Sequence, residues 1–272
     1  MNSETCYDVN GITLCAQTFG DPADPAVLLI HGASASMLWW EEELCRRIAG
    51  EGRYVIRYDQ RDTGRSTTFP VGEPGYGLRD LAADAVGLLD ALGVDRAHVV
   101  GRSMSGGVAL VLAVDHPGRV ASLTLVSTTT GELPMGEPVF PDEPDPADHA
   151  AVVEYVVAAT RAYAGASPHF DEDAVRALAT ADIARSSDIA ASLVNHFAQD
   201  FSGPEHGGFA DVRVPTLVVQ GELDPAFPPA HGEALRDAIP GARLVVLPQS
   251  GHDVAPPVWD LFVGALTELS AP

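Results

Sequence analysis

The chain has 272 residues, 46% hydrophobic and 20% charged, the composition of a globular protein long enough to bury a substantial core. No run approaches the ~20 consecutive apolar residues of a membrane span. Residues 1–10 lack the basic flank and apolar run of a signal peptide, which predicts a cytoplasmic protein. A net charge of −22 argues against nucleic acid and anionic membranes as partners, and all sixteen basic residues are arginines. The absence of lysine excludes Schiff-base chemistry, lysine-anchored pyridoxal phosphate and a P-loop lysine.

Residues 4–9 and 12–18 flank Asn10-Gly11, a strong hairpin signal. A strand follows at 26–30 and ends on the turn His31-Gly32-Ala33-Ser34. A helix is predicted over 38–49, a strand over 54–58 and a helix over 78–92. Leu81, Val86, Leu88, Leu89 and Leu92 give that last helix an apolar stripe. A strand at 98–101 runs into Gly101-Arg102-Ser103-Met104-Ser105-Gly106 and then a helix over 104–115. Strands at 122–127, 216–220 and 243–247 and helices at 229–239 and 258–269 continue the alternation. Near-continuous Val, Leu and Ile runs are those of parallel strands buried on both faces. The fold class is therefore α/β, a mostly parallel eight-stranded sheet with helices on both faces.

One segment interrupts this rhythm. Residues 131–146 are rich in Pro, Glu and Asp and read as an exposed linker. Residues 148–163, 171–184 and 188–201 then read as three helices, each opening on an aspartate suited to an N-cap. Residues 1–130 and 207–272 thus form the core, and 131–206 a helical cap or lid at the sheet edge where ligands bind.

The candidate chemistry lies in the turns after the strands. Ser103 follows a short strand and opens a helix, the context a nucleophile elbow requires, although Ser105 stands where the G-x-S-x-G pattern has glycine. The free N–H of Met104 at the helix start suits developing negative charge, with Ala33 N–H as the second oxyanion donor. Asp224, in Gly221-Glu222-Leu223-Asp224-Pro225, is the candidate acid, with Glu222 as its rival in the same loop. His252, in Gln249-Ser250-Gly251-His252-Asp253, is the candidate base. Each loop alone is a weak signal. The order Ser, Asp, His, each just past a strand end, is the specific one.

Other residues have structural readings. Cys6, Cys15 and Cys45 fit neither a disulfide framework nor a zinc spacing and read as small buried or half-buried apolar side chains. His31 reads as a ring bonded inside its turn. Arg102 reads as a salt bridge behind the elbow. His149, His169, His196 and His206 lack a metal-ligand pattern and read as surface or lid-packing histidines. Of Trp39 and Trp40, one lines the pocket and the other packs in the core, with no signal for which.

The His31-Gly32 turn, Asp59-Gln60-Arg61-Asp62-Thr63-Gly64-Arg65-Ser66, the elbow, the Gly221–Pro225 loop and Gly251-His252 together resemble the α/β-hydrolase superfamily over essentially the whole chain. In that superfamily the 59–66 stretch usually reads D-x-R-G-x-G-x-S, and Asp62 replaces one glycine here. Arg61, Asp62 and Arg65 have a scaffold role only through this family resemblance. The run from Arg57-Tyr58-Asp59 to Arg65-Ser66-Thr67, with Ala97-His98-Val99-Val100-Gly101, is most similar to aclacinomycin-type methylesterases of anthracycline tailoring. The resemblance implies a serine hydrolase acting on a small-molecule ester, such as a methyl ester of a polyketide or other secondary metabolite, with no cofactor or metal. Two alternatives stay open: the same triad in non-ester chemistry (C–C hydrolase, lyase, decarboxylase or perhydrolase) and a non-catalytic small-molecule receptor. The oligomeric state is not legible.

Overall fold

The structure is a computed structural model that describes residues 4–270, so the signal-peptide reading of residues 1–10 lies partly outside the described residues. Its strands are β1 (Thr5–Val9), β2 (Ile12–Phe19), β3 (Ala26–Ile30), β4 (Tyr54–Tyr58), β5 (Ala97–Arg102), β6 (Val120–Val126), β7 (Thr216–Gly221) and β8 (Arg243–Leu247). They form one sheet in the order β1-β2-β4-β3-β5-β6-β7-β8. Asn10 and Gly11 both take positive φ, as a tight hairpin turn requires, and set β1 antiparallel to β2. β2 is antiparallel to β4, and every pair from β4 to β8 is parallel.

The central strands carry no exposed side chain, which explains their mostly apolar sequence. Helices α2 (Leu78–Ala91), α3 (Ser105–Asp115) and α7 (Ala230–Ala238) cover one face, where Leu81, Leu88 and Val108 pack with Leu28 and Leu123. Helices α1 (Glu42–Gly50) and α8 (Trp259–Leu269) cover the other, where Leu44, Ile48 and Phe262 pack with Val27 and Val219. From β3 the chain passes first to β4 on one side and then to β5 on the other. The carboxyl ends of β3 and β5 therefore flank the point where strand order reverses, the usual position of a ligand crevice in an open α/β sheet.

The helix expected over 38–49 is divided. Residues Met37–Trp39 form a single tight turn, and α1 starts only at Glu42. At the break Trp40 has a non-helical ψ of 87°, and its carbonyl accepts from Arg57 Nη1 on β4 at 2.5 Å, while Asp59 Oδ1 accepts from Met37 N at 2.8 Å.

Between β6 and β7 lie a mostly exposed irregular stretch and the helices α4 (His149–Ala164), α5 (Glu172–Arg185) and α6 (Ile189–Ala198). Asp148, Asp171 and Asp188 are their N-caps, each accepting the backbone N–H three residues on at 3.0 Å. These helices are tied to the core by Arg185. Its guanidinium binds Asp59 with both terminal nitrogens, at 2.9 and 2.8 Å, and also reaches Glu4 at 2.9 Å. Ser187 N adds a bond of 2.7 Å to Gly64 O.

Candidate active site

Ser103 sits between β5 and α3 with φ of 53°, in the left-handed region that non-glycine residues rarely occupy. Such a conformation costs roughly 1–3 kcal/mol and persists only where its surroundings impose it. Here Ser103 N donates to Val126 O at 2.9 Å, and Ser103 O accepts from Gly106 N at 2.9 Å and Thr128 Oγ1 at 2.7 Å. Glycine is obligatory at 101, where a Cβ would strike the Ser105 carbonyl, and at 106, where it would strike Thr128. Position 105 tolerates a side chain. Ser105 is fully buried, and its Oγ donates to His31 O at 2.5 Å. The departure from G-x-S-x-G thus ties the elbow to the turn after β3.

Asp224 and His252 meet. Asp224 Oδ2 lies 2.8 Å from His252 Nδ1, and both side chains are almost fully buried. Asp224 Oδ1 accepts from Ala226 N at 2.9 Å and Phe227 N at 3.0 Å, which aims the other oxygen at the ring. Glu222 is engaged elsewhere, accepting from Gln249 N at 2.7 Å. The two loops touch because both contribute glycine: a Cβ on Gly221 would strike the Gly251 carbonyl. Gly251 in turn passes against the end of α4, where a Cβ would lie 2.5 Å from Ala164 O. His252 N donates to Tyr163 O at 3.1 Å, and the Tyr163 ring stacks on the imidazole at 4.9 Å between centroids.

Ser103 Oγ makes no hydrogen bond among the described residues, so the serine–histidine contact is not closed in this structure, whereas the aspartate–histidine contact is. Ser103 does lie against the β3 turn, where a Cβ on Gly32 would be 3.0 Å from its own Cβ. The N–H groups of Ala33 and Met104 also donate to no protein acceptor among the described residues.

His31 is bonded inside the site's floor, Nε2 facing Arg102 Nη1 at 2.9 Å. Burial, and next the Arg102 charge, hold its pKa well below the ordinary histidine value, so it is neutral. Arg102 also pairs with Asp253. Arg61 clamps Asp84 at 2.5 and 2.9 Å inside the core. Asp62 takes the left-handed φ of 64° that glycine would supply, and accepts from Phe69 N at 2.6 Å and Tyr76 OH at 2.5 Å. Burial raises its pKa despite these bonds. Trp40 is the core tryptophan, stacked on Phe262, while Trp39 donates to Asp182 at 2.7 Å. Both border a cavity of ≈ 280 Å³ between α4, α5 and α8. That cavity touches Arg102, Gly251 and Asp253, the neighbours of Ser103 and His252, but neither residue itself. Cys15 and Cys45 are buried, but Cys6 is exposed, against the expectation of an at least half-buried side chain. No cluster that could hold a metal ion occurs among the described residues.

The alpha/beta hydrolase fold family matches residues 25–255, most of the chain. The chain belongs to the α/β-hydrolase family. It is 34% identical over 266 residues to rhodomycin D methylesterase DauP of Streptomyces sp. (strain C5), covering 89% of each. It is 32% identical over 246 residues to the putative carbamate hydrolase RutD of Variovorax paradoxus (strain S110), covering 85% of this chain and 86% of that one. Among solved structures, the enol-lactonase from Burkholderia xenovorans LB400 superposes with a TM-score of 0.78 at 24% identity, covering 98% of this chain and 99% of that one. That likeness is one of fold.

Two contacts around the candidate site of this α/β-hydrolase had no motif. One is made by Arg185. The other is made by His196, which sequence reading leaves among the surface or lid-packing histidines. It is fully buried, with Nδ1 accepting from Ser34 N at 3.0 Å and Nε2 facing Arg61 O at 2.9 Å. Asn195 and His196 are polar yet buried on α6, as is Gln199 just past its end, while Phe197 is exposed. A helix with its polar face inward is serving polar groups beneath it.

Proposed function

We propose that this α/β-hydrolase cleaves a carboxylic ester through an acyl-enzyme on Ser103. The family and the methylesterase relative, 34% identical across 89% of the chain, support a carboxylic ester hydrolase. The observation that carries the triad reading is the Asp224–His252 pair, buried, oriented by two backbone N–H bonds and placed beyond the same sheet edge as the strained Ser103.

In this mechanism His252 takes the Ser103 proton through Nε2 as Oγ attacks the ester carbonyl. Asp224 holds Nδ1–H and stabilises the imidazolium. Ala33 and Met104 N–H groups receive the oxyanion, each donor contributing roughly 3–4 kcal/mol in the transition state. Collapse of the tetrahedral species expels the alkoxide, which takes the proton from His252. Water, deprotonated by His252, then attacks the acyl-Ser103 carbonyl, and the second tetrahedral species collapses to release the acid while His252 returns the proton to Ser103 Oγ. The serine–histidine bond, open here, closes with the substrate in place, as catalytic bonds commonly tighten in the Michaelis complex. No step calls on a metal or cofactor. Residues 131–206 act as the cap. The substrate class proposed is a methyl ester of a polyketide or related secondary metabolite, on the strength of the methylesterase relatives.

The test is turnover of short-acyl nitrophenyl esters and of aromatic polyketide methyl esters, with mass detection of an acyl adduct in rapidly quenched protein. An adduct on the Ser103 peptide, and methanol released from the methyl ester, are expected. Turnover without any acyl-enzyme would overturn the mechanism.

A further inference from the structure

The turn between β3 and the Met37–Trp39 segment is pinned at both ends. At its start, His31 O accepts from Ser105 Oγ at 2.5 Å and Gln60 Nε2 at 2.8 Å, both from the core. At its end, Ser34 N–H donates to His196 Nδ1 at 3.0 Å, and Ser34 Oγ lies 3.5 Å from Leu193 O. Both of those partners are on α6. His196 is itself fixed, because its other nitrogen donates to Arg61 O at 2.9 Å, and Arg61 is clamped by Asp84. The two bonds require the neutral ring with hydrogen on Nε2. Burial keeps it so by lowering its pKa to about 4.

A peptide unit is planar, so a bond to Ser34 N–H fixes the orientation of the whole Ala33–Ser34 plane. Ala33 is then held between two anchored groups. Ser34 itself has φ of 57°, a strained conformation that needs such an anchor. We propose that His196 is a positioning residue for the oxyanion turn: acting through the Ser34 amide, it holds Ala33 N–H where the developing oxyanion forms. α6 is then a permanent wall of the active site, and any opening of the cap takes place at α4 or the 131–147 stretch. This inference rests on the acyl-enzyme reading of Ser103 and the oxyanion role of Ala33.

The two ring nitrogens can be tested separately. Asn offers Oδ1 at the same bond count from Cβ as Nδ1, so His196→Asn keeps the acceptor for Ser34 N–H and loses the donor to Arg61. Gln places its terminal amide at the reach of Nε2, so His196→Gln keeps the donor and loses the acceptor. Removal of one oxyanion donor lowers kcat by about 10²–10³, so misplacing one should lower it by roughly 10–100-fold. The expected result is that loss in His196→Gln, with KM within about threefold of the parent, against a kcat within about fivefold in His196→Asn. Thermal stability should fall similarly in both. Affinity for a boronic acid adduct of the serine should fall in step with kcat. Equal kcat in the two variants, or losses that simply track Tm, would overturn the proposal. A measurement on the unaltered protein covers variants that fail to fold: the ¹⁵N–¹⁵N coupling across Ser34 N–H···Nδ1 should persist when the boronic acid binds, and its disappearance would overturn the proposal. Fluorophosphonate labelling separates the two levels. If Ser103 is not labelled, the acyl-enzyme reading fails; if it is labelled and the two variants do not differ, only the role of His196 fails.

Discussion

Asp224 and Glu222 are two residues apart, and only geometry separates their roles. Asp224 Oδ1 is saturated by two backbone N–H groups and its Oδ2 faces the imidazole, whereas Glu222 holds the backbone of Gln249. Asp224→Asn should therefore favour the wrong histidine tautomer and lower kcat by about 10⁴, the size of the corresponding change in the chymotrypsin-type triad. Glu222→Gln removes one charge from a loop bond and should cost less than about tenfold. Steady-state kinetics on one nitrophenyl ester decides it; a larger loss in Glu222→Gln would move the acid role to that residue. The sequence favoured Asp224 from its place beside Pro225, and it gave His31 and Arg102 structural readings from their places in the turn after β3 and just before Ser103, and Arg61 one from the family resemblance of its loop. His196 was legible only as a surface or lid-packing histidine, not as the partner of the turn after β3. Its partner Ser34 is 162 positions away, and no local pattern announces a histidine that accepts a backbone N–H.

At the scale of elements, the central β-strands were readable because burial on both faces leaves mostly apolar side chains in them, with Arg57 on β4 and Gln220 on β7 as hydrogen-bonded exceptions. The three inserted helices were readable through their aspartate caps. The break before α1 was not, since the contact made there, the Arg57 guanidinium on the Trp40 carbonyl, comes from β4. How the inserted helices attach was equally hidden. Arg185 on α5 meets Asp59 just past β4, with only 7% of the Arg185 side chain and none of Asp59 exposed. Removing one partner of such a pair leaves an uncompensated buried charge and typically costs about 3–5 kcal/mol. Arg185→Ala should therefore lower the unfolding free energy by that amount in urea denaturation, and Arg185→Lys should restore only part of it, because an ammonium cannot bridge both carboxylate oxygens. A loss below about 1 kcal/mol in Arg185→Ala would show that the helices are held by their apolar contacts instead.

Across the whole molecule the charge is uneven. Residues 131–206 carry fourteen acidic side chains against three arginines. Glu41, Asp171 and Asp253 border the cavity beneath α4 and α5, with Arg102 as the arginine opposing them. Burial, and next the charge of Asp253, raise the Glu41 pKa, the response of a carboxylate in surroundings already negative. An approaching anion is therefore expected to meet repulsion from the proposed cap and this cavity, and a cation attraction. kcat/KM should be higher for a cationic ester than for an anionic ester of matched size and reactivity, and the ratio should shrink as salt rises, since exposed charges are screened beyond ~10 Å at 0.1 M. Equal rates at low salt, or a preference indifferent to salt, would leave the acidic face without a part in substrate choice.

The catalytic expectations depend on Ser103 being the nucleophile. The most direct measurement is to treat the folded protein with a fluorophosphonate probe and map the adduct by peptide mass spectrometry. The account predicts one labelled residue, Ser103, with label and ester turnover lost together in Ser103→Ala while circular dichroism stays that of the parent. Label on Ser105 or Ser34, or turnover that survives Ser103→Ala, would contradict it.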